Sequence, residues 1–69
     1  MKLYYEKQLD KAKETLEILE QKLHLIRQEL KENPIDANKM RDLRNLTLDM
    51  TITLNEIENC IDQLKLLKL

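Results

Sequence analysis

Leu30-Lys31-Glu32-Asn33-Pro34-Ile35-Asp36-Ala37 is the stretch that decides the fold. Pro34 has no backbone N–H, and its ring clashes with the carbonyl four residues earlier, so a helix arriving from the N-terminal side ends before it. The same ring pushes Asn33 out of the α region. Two restarts are open: Asn33 as N-cap with Pro34 at the first helical position, or Asp36 as N-cap of a helix beginning at Ala37. Either leaves a connection of a few residues, which turns the chain back on itself.

Upstream of the turn, apolar residues recur at alternating intervals of three and four: Tyr5, Leu9, Ala12, Leu16, Leu19, Leu23, Ile26 and Leu30. That spacing is a heptad seam, with the Leu9 column at a and the Tyr5 column at d. Downstream, Met40, Leu43, Thr47, Met50, Leu54, Ile57, Ile61 and Leu64 repeat it, with Thr47 the one polar interruption. The pattern predicts an all-α chain, an antiparallel two-helix coiled-coil hairpin with helices over about 3–32 and 37–67 and a turn over about 33–36. Layers of Leu30 with Leu43, Leu23 with Met50, Leu19 with Leu54 and Leu16 with Ile57 follow from closing the hairpin. In that register Lys13 comes near Glu58 and Glu6 near Lys65, while Arg27 approaches Arg44.

Composition agrees with long helices. The chain has no Gly, Trp or Phe and a single Pro, and 36% of its residues are charged. Net charge is -1, so no long-range positive field draws it to nucleic acid or an anionic membrane. No segment approaches the roughly 18 continuous apolar residues of a membrane span. One cysteine, Cys60, leaves no intramolecular disulfide to form, and Met1–Lys7 lacks the apolar run of a signal peptide, so the expected location is the cytoplasm. Sixty-nine residues is a small chain for one hydrophobic core.

Two helices in contact bury one stripe each, and this sequence has more apolar residues than that. Tyr4, Ile18 and Leu25 share the c column of the first helix. Leu46, Cys60 and Leu67 share the g column of the second, and Leu48, Ile52, Leu66 and Leu69 lie on its back. Scattered surface apolar residues are ordinary, but recurrence at seven points to a second strip. Tyr4, Ile18, Leu25, Leu46, Ile52, Cys60 and Leu67 are therefore the candidate partner-binding residues. Their expected partner is another helical protein, or a second copy that completes a helical bundle.

Chemistry has little to stand on. His24 and Glu20 form an i, i+4 pair, but two ligands do not make a zinc site. Cys60 has no second Cys or patterned His, and reads as a small apolar filler. The carboxylates Glu6, Asp10 and Glu14, and Glu58 and Asp62, have the spacing of a solvated face rather than of an acid/base pair. Without glycine there is no phosphate loop. Lys39, Arg41 and Arg44 are a local basic cluster without interleaved aromatics. No catalytic residue, metal or cofactor is expected.

Leu30-Lys31-Glu32-Asn33 before the turn, Ile35-Asp36-Ala37-Asn38-Lys39-Met40 after it and Ile57-Glu58-Asn59-Cys60-Ile61 in the second helix resemble the small co-chaperone of the type III secretion needle subunit. That family consists of short bacterial cytoplasmic hairpins. The resemblance covers a little over half the chain, and the family's usual aromatic residue after the turn falls on Met40. It implies a non-enzymatic helper that binds a helical-repeat chaperone and with it keeps a secreted subunit from polymerising. Two other readings stand beside it. One is a homodimeric four-helix-bundle regulator or scaffold of phage or plasmid type, using Lys39, Arg41 and Arg44. The other is a sporulation-type aspartyl-phosphate phosphatase, whose Ser-Gln-Glu-Leu-Asp motif is matched by Leu54-Asn55-Glu56-Ile57-Glu58 in the glutamate alone.

Overall fold

The computed structural model describes residues 1–68 as two helices, α1 (Lys2–Glu32) and α2 (Ala37–Leu67), packed along their length as a hairpin. Leu69 lies outside the described residues. The Cα envelope measures 51 × 14 × 13 Å, close to the length of one 31-residue helix at about 1.5 Å per residue.

Proline shapes the turn as its chemistry requires. Asn33 is extended, at φ -140° and ψ 81°, and its N–H donates to Glu29 O at 3.0 Å to close α1. Of the two possible restarts the chain uses the second. Asp36 caps α2, its Oδ1 accepting from the Lys39 N–H at 3.1 Å and satisfying one of the amides that a helix start leaves without a partner. An ion pair joins the two helices beside the turn, with Lys39 Nζ 2.6 Å from Glu29 Oε2. Among the described residues no ion pair links Lys13 to Glu58 or Glu6 to Lys65.

The α1 seam is the expected one. Ala12 and Leu19 are buried, and Tyr5, Leu9, Leu16, Leu23, Ile26 and Leu30 are half-buried. On α2 only half of the expected seam faces inward. Leu43, Met50, Ile57 and Leu64 are half-buried, but between them lie Leu46, Thr53 and Cys60, each buried, where Met40, Thr47, Leu54 and Ile61 were expected. The helix is turned about its axis by one heptad position, roughly 50°, or half the step between successive residues.

Side-chain size gives a physical reason. Leu30 and Leu43 line one cleft. Stepping seven residues at a time from that layer puts Leu23 with Met50 and Leu16 with Ile57, and in the alternate layers Thr53 comes opposite Leu19 and Cys60 opposite Ala12. In these layers the α2 side chain is smaller than the Leu54 or Ile61 expected there, and with Cys60 opposite Ala12 both are small. The Thr53 hydroxyl costs little there, because it donates to Asp49 O at 2.9 Å, and among the described residues no buried polar side-chain atom is left unpaired.

Two expectations follow from the turn. Asp36→Ala removes the cap and lowers hairpin stability by about 1 kcal/mol, read as a lower urea midpoint at unchanged slope. The Lys39 ammonium is held above its ordinary value of 10.5, first by its hydrogen bond to Glu29 and then by that carboxylate's charge. Because the folded value is the raised one, the stabilisation is complete below the unfolded value and fades as pH climbs through the folded one. In an NMR titration of the Lys39 side chain, Glu29→Gln is expected to bring its midpoint down.

Candidate functional site

Turning α2 inward by one position leaves a column of large apolar side chains outside. Met40 is 51% exposed, Leu54 49% and Ile61 37%, with exposed Thr47 between the first two. From Met40 to Ile61 the column runs 21 residues, about 32 Å. It carries no charge. Thr47 donates its hydroxyl to Leu43 O at 2.8 Å, and neighbouring Thr51 donates to Thr47 O at 3.0 Å, so both polar hydrogens are turned back onto the helix.

At the turn end this column opens into a cleft of about 520 Å³ between the helices. Leu30 and Pro34 form one wall and Met40, Leu43 and Leu48 the other, with Arg44 the only charged residue lining it. Its size and lining suit apolar side chains arriving from outside. Leu48, also exposed, widens the apolar face on the back of α2.

The residues singled out in the sequence are divided by the fold. Tyr4, Ile18, Leu25, Ile52 and Leu67 are exposed. Leu46 and Cys60 are not: each is 6% exposed and sits in the seam, so neither belongs to an open strip. What remains on that flank is interrupted. Leu25 borders a shallow groove of about 390 Å³ whose α2 side carries Asp42 and Asp49. Tyr4 lies edge-on to Tyr5, ring centres 5.2 Å apart, beside Glu56 and Asn59. Lys11 stands between Tyr4 and Ile18 in the same column.

The residues that sequence reasoning missed as surface are Met40, Leu54 and Ile61. Their hydrophobicity was assigned to the seam. A signal was present in the three heptad columns of α2 (Met40, Leu43 and Leu46 each begin one), of which a two-helix seam takes two.

The side chains with chemical potential are spread apart or committed. Among the described residues no three of His, Cys, Asp and Glu gather in a way that could hold a metal ion. His24 Nε2 lies 3.1 Å from Gln28 Nε2 rather than against Glu20. Of the basic cluster, Lys39 is held by Glu29, and Arg41 donates to Asn38 Oδ1 at 2.7 Å. No described helix is long and apolar enough to cross a membrane.

No family model matches this chain, and no curated protein or solved structure matches it.

The placement of Cys60 can be read directly. In native buffer its thiol is expected to react with a disulfide reagent far more slowly than in denaturant, because the seam covers it. Native labelling at the unfolded rate would return α2 to the rotation that its most apolar columns suggest.

Proposed function

We propose that this chain is a non-enzymatic protein–protein interaction module that docks a helical partner along the outer face of α2. One observation carries the reading: of the two columns that could complete the α2 seam, the one holding Leu54 and Ile61 points to solvent, and the one holding Thr53 and Cys60 is buried. Leaving the larger side chains outside costs hydrophobic free energy, about 1.5–3 kcal/mol for each Leu or Ile that could be buried. A partner that covers them recovers it. The geometry fits the helix-in-groove mode, in which apolar anchors one and two turns apart lie in a trough between helices.

The finer form of this proposal is a small cytoplasmic chaperone or adaptor of the type III needle co-chaperone kind. It is supported by the resemblance carried by Leu30–Asn33, Ile35–Met40 and Ile57–Ile61. Met40 and Ile61 close two of those three stretches and also end the exposed column.

A tagged chain used to retrieve proteins from its native cells tests the reading. Wild type is expected to retain a helical partner that a Leu54→Glu/Ile61→Glu variant loses, while Leu25→Glu on the opposite flank keeps it. Circular dichroism of each variant checks that the helices persist. Equal retention by the Leu54→Glu/Ile61→Glu variant would sink the proposal.

A further inference from the structure

The charges bordering the α2 column follow a pattern that a single chain leaves unused. Arg41 and Arg44 lie in the first turns of α2, and Glu58 and Asp62 in its last third, all exposed. By heptad spacing Arg44, Thr51, Glu58 and Lys65 form the column beside the apolar one, and Arg41 and Asp62 belong to the next; on reversal about Thr51, Lys65 falls opposite uncharged Ala37. Among the described residues none of Arg41, Arg44, Glu58 and Asp62 is in an ion pair; Arg41 bonds only to Asn38 of its own helix. Arg41 and Arg44 lie three residues apart and Glu58 and Asp62 four, like-charge spacings that are mildly unfavourable on a lone helix.

The pattern is self-complementary when reversed. The midpoints of Met40 and Ile61, Thr47 and Leu54, Arg44 and Glu58, and Arg41 and Asp62 all fall between Met50 and Ile52. A two-fold axis crossing α2 beside Thr51 would therefore lay Met40 on Ile61, Leu54 on the internally bonded Thr47, and each arginine on a carboxylate of the other copy. Parallel packing would instead put the two Arg44 columns on opposite edges of the contact, with no carboxylate of the other copy facing either arginine. The α1 flank beside the column, Glu6, Lys13, Glu20 and Arg27, is charged throughout, so the apolar contact is between the two α2 helices.

We infer that the outer face of α2 binds the same face of a second copy, antiparallel about a two-fold axis beside Thr51, with Arg44 paired to Glu58 and Arg41 to Asp62 across the interface. This rests on the interaction-module reading and names the partner of that surface. Such an isologous contact closes on itself and leaves no repeating edge. It also absorbs Arg41 and Arg44, two of the three residues of the basic cluster.

Sedimentation equilibrium of the full chain over a range of concentrations tests it. Wild type is expected to form a concentration-dependent dimer, and Leu54→Glu/Ile61→Glu to raise its dissociation constant by about 100-fold or more. The decisive arm uses two charge variants. Arg41→Glu/Arg44→Glu makes the four paired positions all acidic and Glu58→Arg/Asp62→Arg makes them all basic. Each alone is expected to self-associate about tenfold more weakly or worse, and an equimolar mixture to recover dimer. Circular dichroism of both variants separates lost association from lost helix. A wild type that stays monomeric, variants that dimerise unchanged, or a mixture that stays monomeric would overturn the inference. If wild type is monomeric yet holds a helical partner that Leu54→Glu/Ile61→Glu loses, the self-pairing fails and the interaction-module reading stands. If it is monomeric and holds none, both fall.

Discussion

Two helices side by side have room for one apolar stripe each, and α2 carries more than one. Its Leu43 column is flanked by the Leu46 column on one side and the Met40 column on the other, and only one of these can join it against α1. The packing of the molecule depends on which. With Leu46, Thr53 and Cys60 inward, the layers opposite Leu19 and Ala12 are filled by small side chains, and the Thr53 hydroxyl is satisfied by its own helix. With that choice made, Leu54 and Ile61 have no place inside. The exposed face of α2 is thus a consequence of the seam rather than a separate feature.

The hairpin itself is legible in the sequence because its determinants are local. Pro34 ends α1 by removing a donor and restricting Asn33, Asp36 offers a side-chain acceptor three residues before the Lys39 amide, and the α1 heptads have a single consistent seam. None of these depends on what the other helix does. The rotation of α2 is different. Spacing of three and four is preserved whether Leu43 is grouped with Met40 or with Leu46, so periodicity cannot separate the two, and hydrophobicity favours the wrong one. The distinction lies in the volume of the facing layers, which is a property of both helices together. The same ambiguity misplaced the candidate surface. Leu46 and Cys60 were read as surplus because the Met40 column had been counted as core.

Charge placement is informative in a way that composition is not. A net charge of -1 conceals a helix whose outer face carries Arg41 and Arg44 near its start and Glu58 and Asp62, followed by Lys65, near its end. The acids on the other flank, Asp42, Asp49 and Glu56, make that side an unpromising place for a second apolar contact even though Ile18 and Leu25 lie near it. Electrostatics thus selects between two apolar candidates of similar size. One is bordered by charges that oppose their own reversed pattern, and the other faces a row of carboxylates.

The core of the hairpin is thin, and this bears on how folding and association relate. Among the described residues the buried apolar set is Ala12, Leu19, Leu46 and Cys60, two of them small. Burial of that extent offsets little of the conformational entropy of ordering two 31-residue helices. Anything that binds the folded hairpin and not the unfolded chain adds to stability by mass action. The apolar column on α2 is an uncommitted reserve of such free energy. A partner covering Leu54 and Ile61, as proposed above, would therefore add directly to the stability of a hairpin whose own core is thin.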